Sequence, residues 1–210
     1  MDSMELLTRL EPLREDLKPY LTEGPLGPMF HHPFMVELVC DVNRAARINS
    51  YVGVVERETQ EALKNKKWGR YVFRHERPYR VEALLRIVDQ LPDEEYWSLV
   101  GEVWVDSENI WQNLDDWVGL LSSVRPQRHL MMTEEERAAL GALPGRLTIY
   151  RGCTPQNRRG LSWTLNRDKA LWFAKRFRQD GSVVERRVYK RQVVAYFTGR
   201  GESEVVVVKV

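Results

Sequence analysis

Three short polar motifs in the last third of the chain carry side chains suited to binding an anion and stabilising a reaction centre. In order they are Tyr150-Arg151-Gly152, Leu161-Ser162-Trp163-Thr164 and Glu202-Ser203-Glu204. An arginine offers a planar, permanently charged fork that fits phosphate groups. Hydroxyl groups orient their neighbours through hydrogen bonds, and a carboxylate can stabilise a developing positive charge or accept a proton. These motifs therefore supply the candidate site residues.

The elements that must position these motifs are short strands. From Arg146 onward the periodicity favours β-strands interrupted by one helix, which has Asn166 as its candidate N-cap and Phe173 on its apolar face. Each motif lies at the edge of a predicted strand. The predicted strands cover residues 147–151, 160–164, 183–189, 193–197 and 204–210.

In their order and strand context, the motifs resemble the three signatures of the Arg-Ser-Glu class of ADP-ribosyltransferases, the cholera-toxin-like group. In that family an arginine ends a first strand, a Ser-x-Thr or Ser-x-Ser strand follows, and a Glu-x-Glu pair opens a later strand. The resemblance covers about the last 65 residues. It implies an enzyme that takes NAD as substrate, cleaves the nicotinamide-ribose bond and transfers ADP-ribose to a macromolecular acceptor, either a protein arginine or a nucleobase.

The resemblance implies a catalytic role for both glutamates. Cleavage of the nicotinamide-ribose bond generates an oxocarbenium-like sugar, as glycoside cleavage does. Glu204 is expected to bind the 2′-hydroxyl of the nicotinamide ribose and stabilise that charge. Glu202 is expected to orient or deprotonate the incoming nucleophile.

The resemblance also implies the NAD-binding residues. Arg151 would bind the dinucleotide phosphates, and Gly152, which lacks a Cβ, would let the backbone approach the nicotinamide carboxamide. Ser162 and Thr164 would hold Glu204 and the pocket strand through hydroxyl hydrogen bonds. Phe173 is a further expected contact with NAD. No metal ion is expected.

Target recognition is expected in the turn over residues 196–201, at Phe197 and Arg200. The chain departs from many toxins of the class because Arg151 and Ser162 are only 11 positions apart. In such a reduced version, the adenine end of NAD would be held by residues 154–159 or by the helix that carries Phe173.

The sequence predicts an α+β fold, with a helical N-terminal part over residues 1–145 that acts as scaffold or target-binding region. A small β-rich catalytic core follows over residues 146–210. A loop is predicted over residues 22–29, His31 and His32 are placed at a helix entrance, and a long core helix is predicted from Pro33 to about Lys64. Later helices are expected to start at Pro78, at Pro92, after Ser107 as N-cap, and at a capping box of Thr133 and Glu136.

Charge and composition limit the function classes. Residues 146–210 carry 15 Lys/Arg against 5 Asp/Glu, whereas residues 1–145 carry 17 against 25, so the C-terminal part suits an anionic ligand. The alternative is a non-catalytic module that binds nucleic acid or protein. That alternative is also supported by residues 64–80, where seven Lys/Arg alternate with aromatic residues. Such a stretch is equally typical of a solvated edge over an aromatic core.

The expected setting follows from the absence of an apolar run of membrane-spanning length and from the acidic start Met1-Asp2-Ser3-Met4-Glu5. Both indicate a cytoplasmic protein without a membrane partner. The size fits a small bacterial or phage effector or toxin. Its expected partners are a macromolecular acceptor, either protein or RNA/DNA, and a cognate antitoxin or inhibitor.

Overall fold

The chain forms two compact units, Met1–Asp89 and Gln90–Val210, in a computed structural model. The structure describes residues 11–38, 44–108, 110–176, 180–199 and 201–208. The predicted α+β class is confirmed, since helices accompany two small antiparallel sheets. The change from helices to strands that the sequence places near residue 145 lies inside the second unit.

The first unit has an antiparallel sheet in the order β1-β2-β3, packed with short and long helices. Its hydrophobic core includes Leu17, Phe30, Ile48 and Val52, all with almost no exposed surface. The strands are β1 (Leu21–Gly24), β2 (Gly27–His32) and β3 (Met35–Leu38). The α-helices are α1 (Arg44–Lys64), α2 (Trp68–Phe73) and α3 (Arg80–Leu85), and 3-10 helices cover Glu15–Tyr20, Arg77–Tyr79 and Val88–Gln90.

The helix predicted from Pro33 is wrong over its first part, because residues 35–38 form a strand and the α-helix is observed from Arg44. The loop predicted over residues 22–29 is also wrong, since it contains the β1-β2 hairpin. Burial along β2 alternates, with Phe30 and His32 inside and His31 exposed, which is the period of a pleated strand. The prediction that the N-terminal part contains only helices is therefore wrong, because this part also contains a sheet.

His32 lies on this strand and not at a helix entrance. Its Nδ1 accepts a hydrogen bond from the backbone N–H of Phe34 at 3.2 Å, and burial lowers the pKa of the ring. In the aromatic and basic stretch of residues 64–80, Trp68 and Tyr71 are buried. Their rings therefore belong to the core, which favours the interpretation of that stretch as a solvated edge.

In the second unit, helices lead into the larger sheet. Pro92 directly precedes the first of them, as predicted, and the Thr133-Glu136 capping box is present in full. Ser107 is a C-cap and not the predicted N-cap, because its hydroxyl donates to the carbonyl of Val103 at 2.7 Å. The helices are α4 (Asp93–Asp106), α5 (Leu114–Leu121), α6 (Glu134–Ala142) and α7 (Arg167–Lys175), with 3-10 helices at Ile110–Asn113, Arg128–Met131 and Lys190–Gln192.

The five predicted strands all occur, and they form one antiparallel sheet in the order β6-β4-β5-β8-β7. Asn166 caps α7 as predicted, accepting hydrogen bonds from the backbone N–H groups of Asp168 and Lys169. The strands are β4 (Arg146–Cys153), β5 (Ser162–Thr164), β6 (Ser182–Tyr189), β7 (Ala195–Phe197) and β8 (Glu204–Val206).

No helix among the described residues has the length and apolarity needed to cross a membrane.

Candidate active site

The strand order brings the three sequence motifs to neighbouring strands. β5 lies between β4 and β8, and the register aligns Tyr150 with Thr164 and Thr164 with Glu204. Arg151 follows Tyr150 on β4, and Ser162 begins β5. Three segments separated in sequence therefore place their polar residues along one part of the sheet.

These residues line one cavity of about 340 Å³. That volume is in the range of small-molecule sites, roughly 300 to 1,000 Å³. The guanidinium of Arg151 and the carboxylate of Glu204 thus share a cleft. The lining consists of Glu108, Ile110, Trp111, Tyr150, Arg151, Gly152, Asn157, Ser162, Trp163, Thr164, Phe173, Arg176, Glu202 and Glu204.

The carboxylate of Glu204 is oriented by two donors to the same oxygen. Ser162 Oγ donates to Glu204 Oε1 at 2.5 Å, and the indole Nε1 of Trp104 donates to that oxygen at 3.2 Å. Trp104 is buried on α4 and packs edge to face against Trp117, with ring centroids 4.9 Å apart. A carboxylate held this way needs little reorganisation when charge develops beside it.

Thr164 fixes the turn that carries the other glutamate. Its Oγ1 donates to the main-chain carbonyl of Glu202 at 2.5 Å, and the carbonyl of Ser203 accepts from the N–H of Leu165 at 3.1 Å. These bonds tie the Glu202-Ser203-Glu204 turn to the end of β5. Both glutamates consequently line the same cleft.

The guanidinium of Arg151 holds the segment between β4 and β5. Nη1 donates to the carbonyl of Ser162 at 2.6 Å and Nη2 to the carbonyl of Asn157 at 3.1 Å, while the buried Nε has no partner among the described residues. Burial lowers the pKa of Arg151, and the negative charge of Glu204 opposes that shift. Because an arginine keeps its charge in proteins, the cleft contains a desolvated cation.

Gly160 and Gly152 lie at positions where a side chain would not fit. A Cβ on Gly160 would lie 2.1 Å from the Arg151 Cζ, so the absence of a side chain leaves room for the guanidinium. A Cβ on Gly152 would lie 2.0 Å from the carbonyl oxygen of Ala170 and 2.5 Å from the backbone N of Ala174. Gly152 lines the cleft, but its missing side chain is explained by the packing of β4 against α7.

We expect Gly152→Ala to lower the free energy of unfolding by about 1–3 kcal/mol, because overpacking at this contact separates β4 from α7. Denaturant titration of the whole chain measures the change. Gly141→Ala on α6, where a Cβ meets no atom within 4 Å, is the control with the opposite sign. It should stabilise the chain by about 0.5–1 kcal/mol. Equal unfolding midpoints for the two variants would contradict the packing argument.

Three further site residues were predicted from the sequence, namely Phe173, Phe197 and Arg200. Phe173 lines the cleft as expected. The side chain of Phe197 is only 5% exposed, and it lines a small cavity together with Glu202 and Glu204. A role of Phe197 in target recognition stays a prediction. Arg200 lies outside the described residues.

Several residues of the site were not identified from the sequence. Glu108, Ile110, Trp111 and Arg176 line the cleft, and Trp104 donates to Glu204 without being part of the lining. A signal for Trp104 exists, because its indole lies on the buried face of α4 and most buried indole N–H groups have an acceptor. The acceptor could not be found from the sequence, since Glu204 is 100 positions away. Trp111, which is 47% exposed, lines the cleft from the segment between α4 and α5.

For the NAD cleavage that the resemblance to ADP-ribosyltransferases implies, we expect Trp104→Phe to reduce kcat roughly 10- to 100-fold with little change in KM. A hydrogen bond to a charged group contributes about 1.5–3 kcal/mol, and this one orients the carboxylate without touching the substrate. Steady-state nicotinamide release measures both constants. Trp97→Phe is the matched control, since Trp97 is buried on the same helix and donates to the carbonyl of Arg125 at 3.2 Å. An equal loss of kcat in that control would show that Trp104 acts only through stability.

Comparisons of the chain with protein-family models, with curated proteins and with solved structures give no match. Among the described residues, no group of three or more His, Cys, Asp or Glu side chains is arranged to hold a metal ion.

Proposed function

We propose that the chain is an NAD-dependent ADP-ribosyltransferase that cleaves the nicotinamide-ribose bond and transfers ADP-ribose to a macromolecular acceptor. The observation that carries this proposal is the cleft in which Arg151 and Glu204 lie together, with Ser162 and Trp104 donating to one oxygen of the glutamate. The order of the three motifs along the chain supports the same activity.

In the proposed reaction, the C1′–N bond between ribose and nicotinamide breaks, and nicotinamide leaves with the electron pair. The ribose then carries positive charge, which the oriented carboxylate of Glu204 stabilises while it binds the 2′-hydroxyl. The acceptor's nucleophile forms the new bond to C1′, and Glu202 takes its proton. The second product is ADP-ribose linked to the acceptor.

Arg151 is proposed to bind the pyrophosphate. It already donates to two carbonyl groups, but a guanidinium has five N–H donors, so donors remain for a phosphate oxygen. A cation in a partly desolvated cleft attracts an anion more strongly than one in water. Phe173 and the exposed Trp111 offer flat apolar surfaces for the nicotinamide or adenine ring.

The test is to incubate the purified chain with NAD labelled in the adenylate part and to measure released nicotinamide and labelled macromolecule. The proposal expects nicotinamide release, with slow NAD hydrolysis when no acceptor is present. Added cell lysate should accelerate release and take up label. If no nicotinamide is released with lysate present, the proposal is wrong.

The runner-up is a non-catalytic module that binds nucleic acid or protein, which the basic residues 146–210 and the basic and aromatic stretch of residues 64–80 favour. Such a module would retain salt-dependent nucleic-acid binding after Arg151→Ala and Glu204→Ala, and it would never turn over NAD. A cytoplasmic bacterial or phage effector or toxin, held in check by a cognate antitoxin or inhibitor, is the setting we propose for the enzyme.

A further inference from the structure

A second, larger cavity of about 810 Å³ lies in the same unit and has a different chemical character. Its cationic side is formed by Arg158 and Arg159, from the segment between β4 and β5, and by Arg186 from β6. Its apolar side includes Leu114 and Val118 of α5. We call this cavity the arginine groove.

The arginine groove is lined by three arginines and no acidic residue. The side chains of all three are exposed, and the described residues include no carboxylate within ion-pair distance of any of them. Arg186 Nη1 donates only to the main-chain carbonyl of Glu185, at 3.1 Å. Elsewhere in this unit Arg125 pairs with Asp93 at 3.1 Å, whereas the three arginines of the groove have no such partner among the described residues.

We propose that the arginine groove binds a single strand of nucleic acid. Guanidinium groups match phosphate geometry, and three of them within one cavity can contact consecutive phosphates. The apolar wall fits the faces of unstacked bases, which a single strand exposes and a double helix conceals. RNA and DNA strands share this chemistry.

The position of the arginine groove links it to the candidate active site. Trp163 is among the lining residues of both cavities, and Asn157 of the cleft and Gly160 of the groove belong to one short segment. A strand in the groove therefore passes beside the cleft that holds Glu202 and Glu204. On the proposed function, this makes nucleic acid the acceptor class: a nucleobase amine bonds to C1′, nicotinamide leaves with its electron pair, and Glu202 receives the proton.

Binding is tested by fluorescence anisotropy with a labelled single-stranded RNA oligonucleotide, the DNA of the same sequence and the corresponding duplex, without NAD. The triple variant Arg158→Ala, Arg159→Ala and Arg186→Ala should raise Kd for the single strands at least tenfold. The slope of log K against log salt should become less steep by about 2, because three contacts to a single strand are lost at about 0.7 each.

The matched control changes three exposed arginines of the same unit outside the groove, Arg146, Arg187 and Arg191, to alanine. Arg187 follows Arg186 on β6 and points to the other face, so the control removes the same net charge. Its Kd should rise less than threefold. The proposal that the groove binds a single strand would be wrong if the two triple variants lost equal affinity. It would also be wrong if the duplex bound as tightly as the single strands. Thermal unfolding checks both variants, and the single change Arg158→Ala provides a milder test.

The acceptor is tested with labelled NAD, the oligonucleotides and a protein fraction in one reaction. Label on an oligonucleotide supports the inference, and label on protein alone overturns the acceptor assignment. Absence of nicotinamide release would instead overturn the proposed function and leave the binding result standing, because anisotropy is measured without NAD and in Glu204→Gln as well.

Discussion

Replacing Glu204 with glutamine should reduce kcat for nicotinamide release at least about a hundredfold while changing KM little, as expected when a preorganised electrostatic contact is removed. Glutamine keeps an oxygen that can accept the bonds from Ser162 Oγ and Trp104 Nε1, at 2.5 and 3.2 Å in the native site. These two bonds can therefore hold the side chain in place while its negative charge is removed. The charge is what the oxocarbenium-like ribose requires.

Glu185→Gln is the matched control for this change. Glu185 lies on β6 of the same sheet, paired with Tyr150, and its side chain is exposed and absent from the cleft lining. Replacing this carboxylate should leave kcat for nicotinamide release within a factor of about two of the native value, since an exposed surface charge contributes little to the stability of the fold. If Glu204→Gln released nicotinamide at the native rate, the catalytic role of Glu204 would be wrong.

Local signals explain why much of the second unit could be predicted. The Asn166 cap and the Thr133-Glu136 capping box depend on residues two or three positions apart, and both are present. The five strands are recognisable from short apolar runs between turn residues. The order β6-β4-β5-β8-β7 is set by long-range pairing, which no local pattern contains.

The first unit shows how a helical spacing can mislead. Met35 and the apolar positions after it fit one face of a helix, but residues 35–38 are a strand paired with β2. In β2 the buried Phe30 and His32 flank the exposed His31, so the period-two alternation is very short. So short a run does not distinguish a strand from a helix. The segment is a strand because it pairs in the hairpin that Gly24 and Gly27 close.

The short spacing between Arg151 and Ser162 also receives a structural explanation. The guanidinium of Arg151 holds the segment between the two residues in place, because it donates to the carbonyl groups of Asn157 and Ser162. Gly160 leaves the space that the guanidinium occupies. A compact chain can thus form the cleft without inserted helices, because one side chain both supports the intervening segment and supplies the cation.

Arg151→Lys should consequently weaken NAD binding at least tenfold and lower the free energy of unfolding by about 1–3 kcal/mol. A lysine ammonium is a point charge on a flexible stem, so it cannot reach both carbonyl groups that the guanidinium holds at 2.6 and 3.1 Å. The segment between β4 and β5 loses its support, and the fork for the pyrophosphate is lost with it. Of the properties of Arg151, the lysine retains only the positive charge.

Calorimetric titration with NAD should be done in the Glu204→Gln background, so that the substrate is not consumed while binding is measured. Arg146→Lys, at the exposed start of the same strand, is the control and should bind NAD as the parent does. Native affinity in Arg151→Lys would mean that charge suffices and that the fork geometry is irrelevant. A lower unfolding midpoint together with that native affinity would show that the two carbonyl contacts support the segment without contributing to NAD binding.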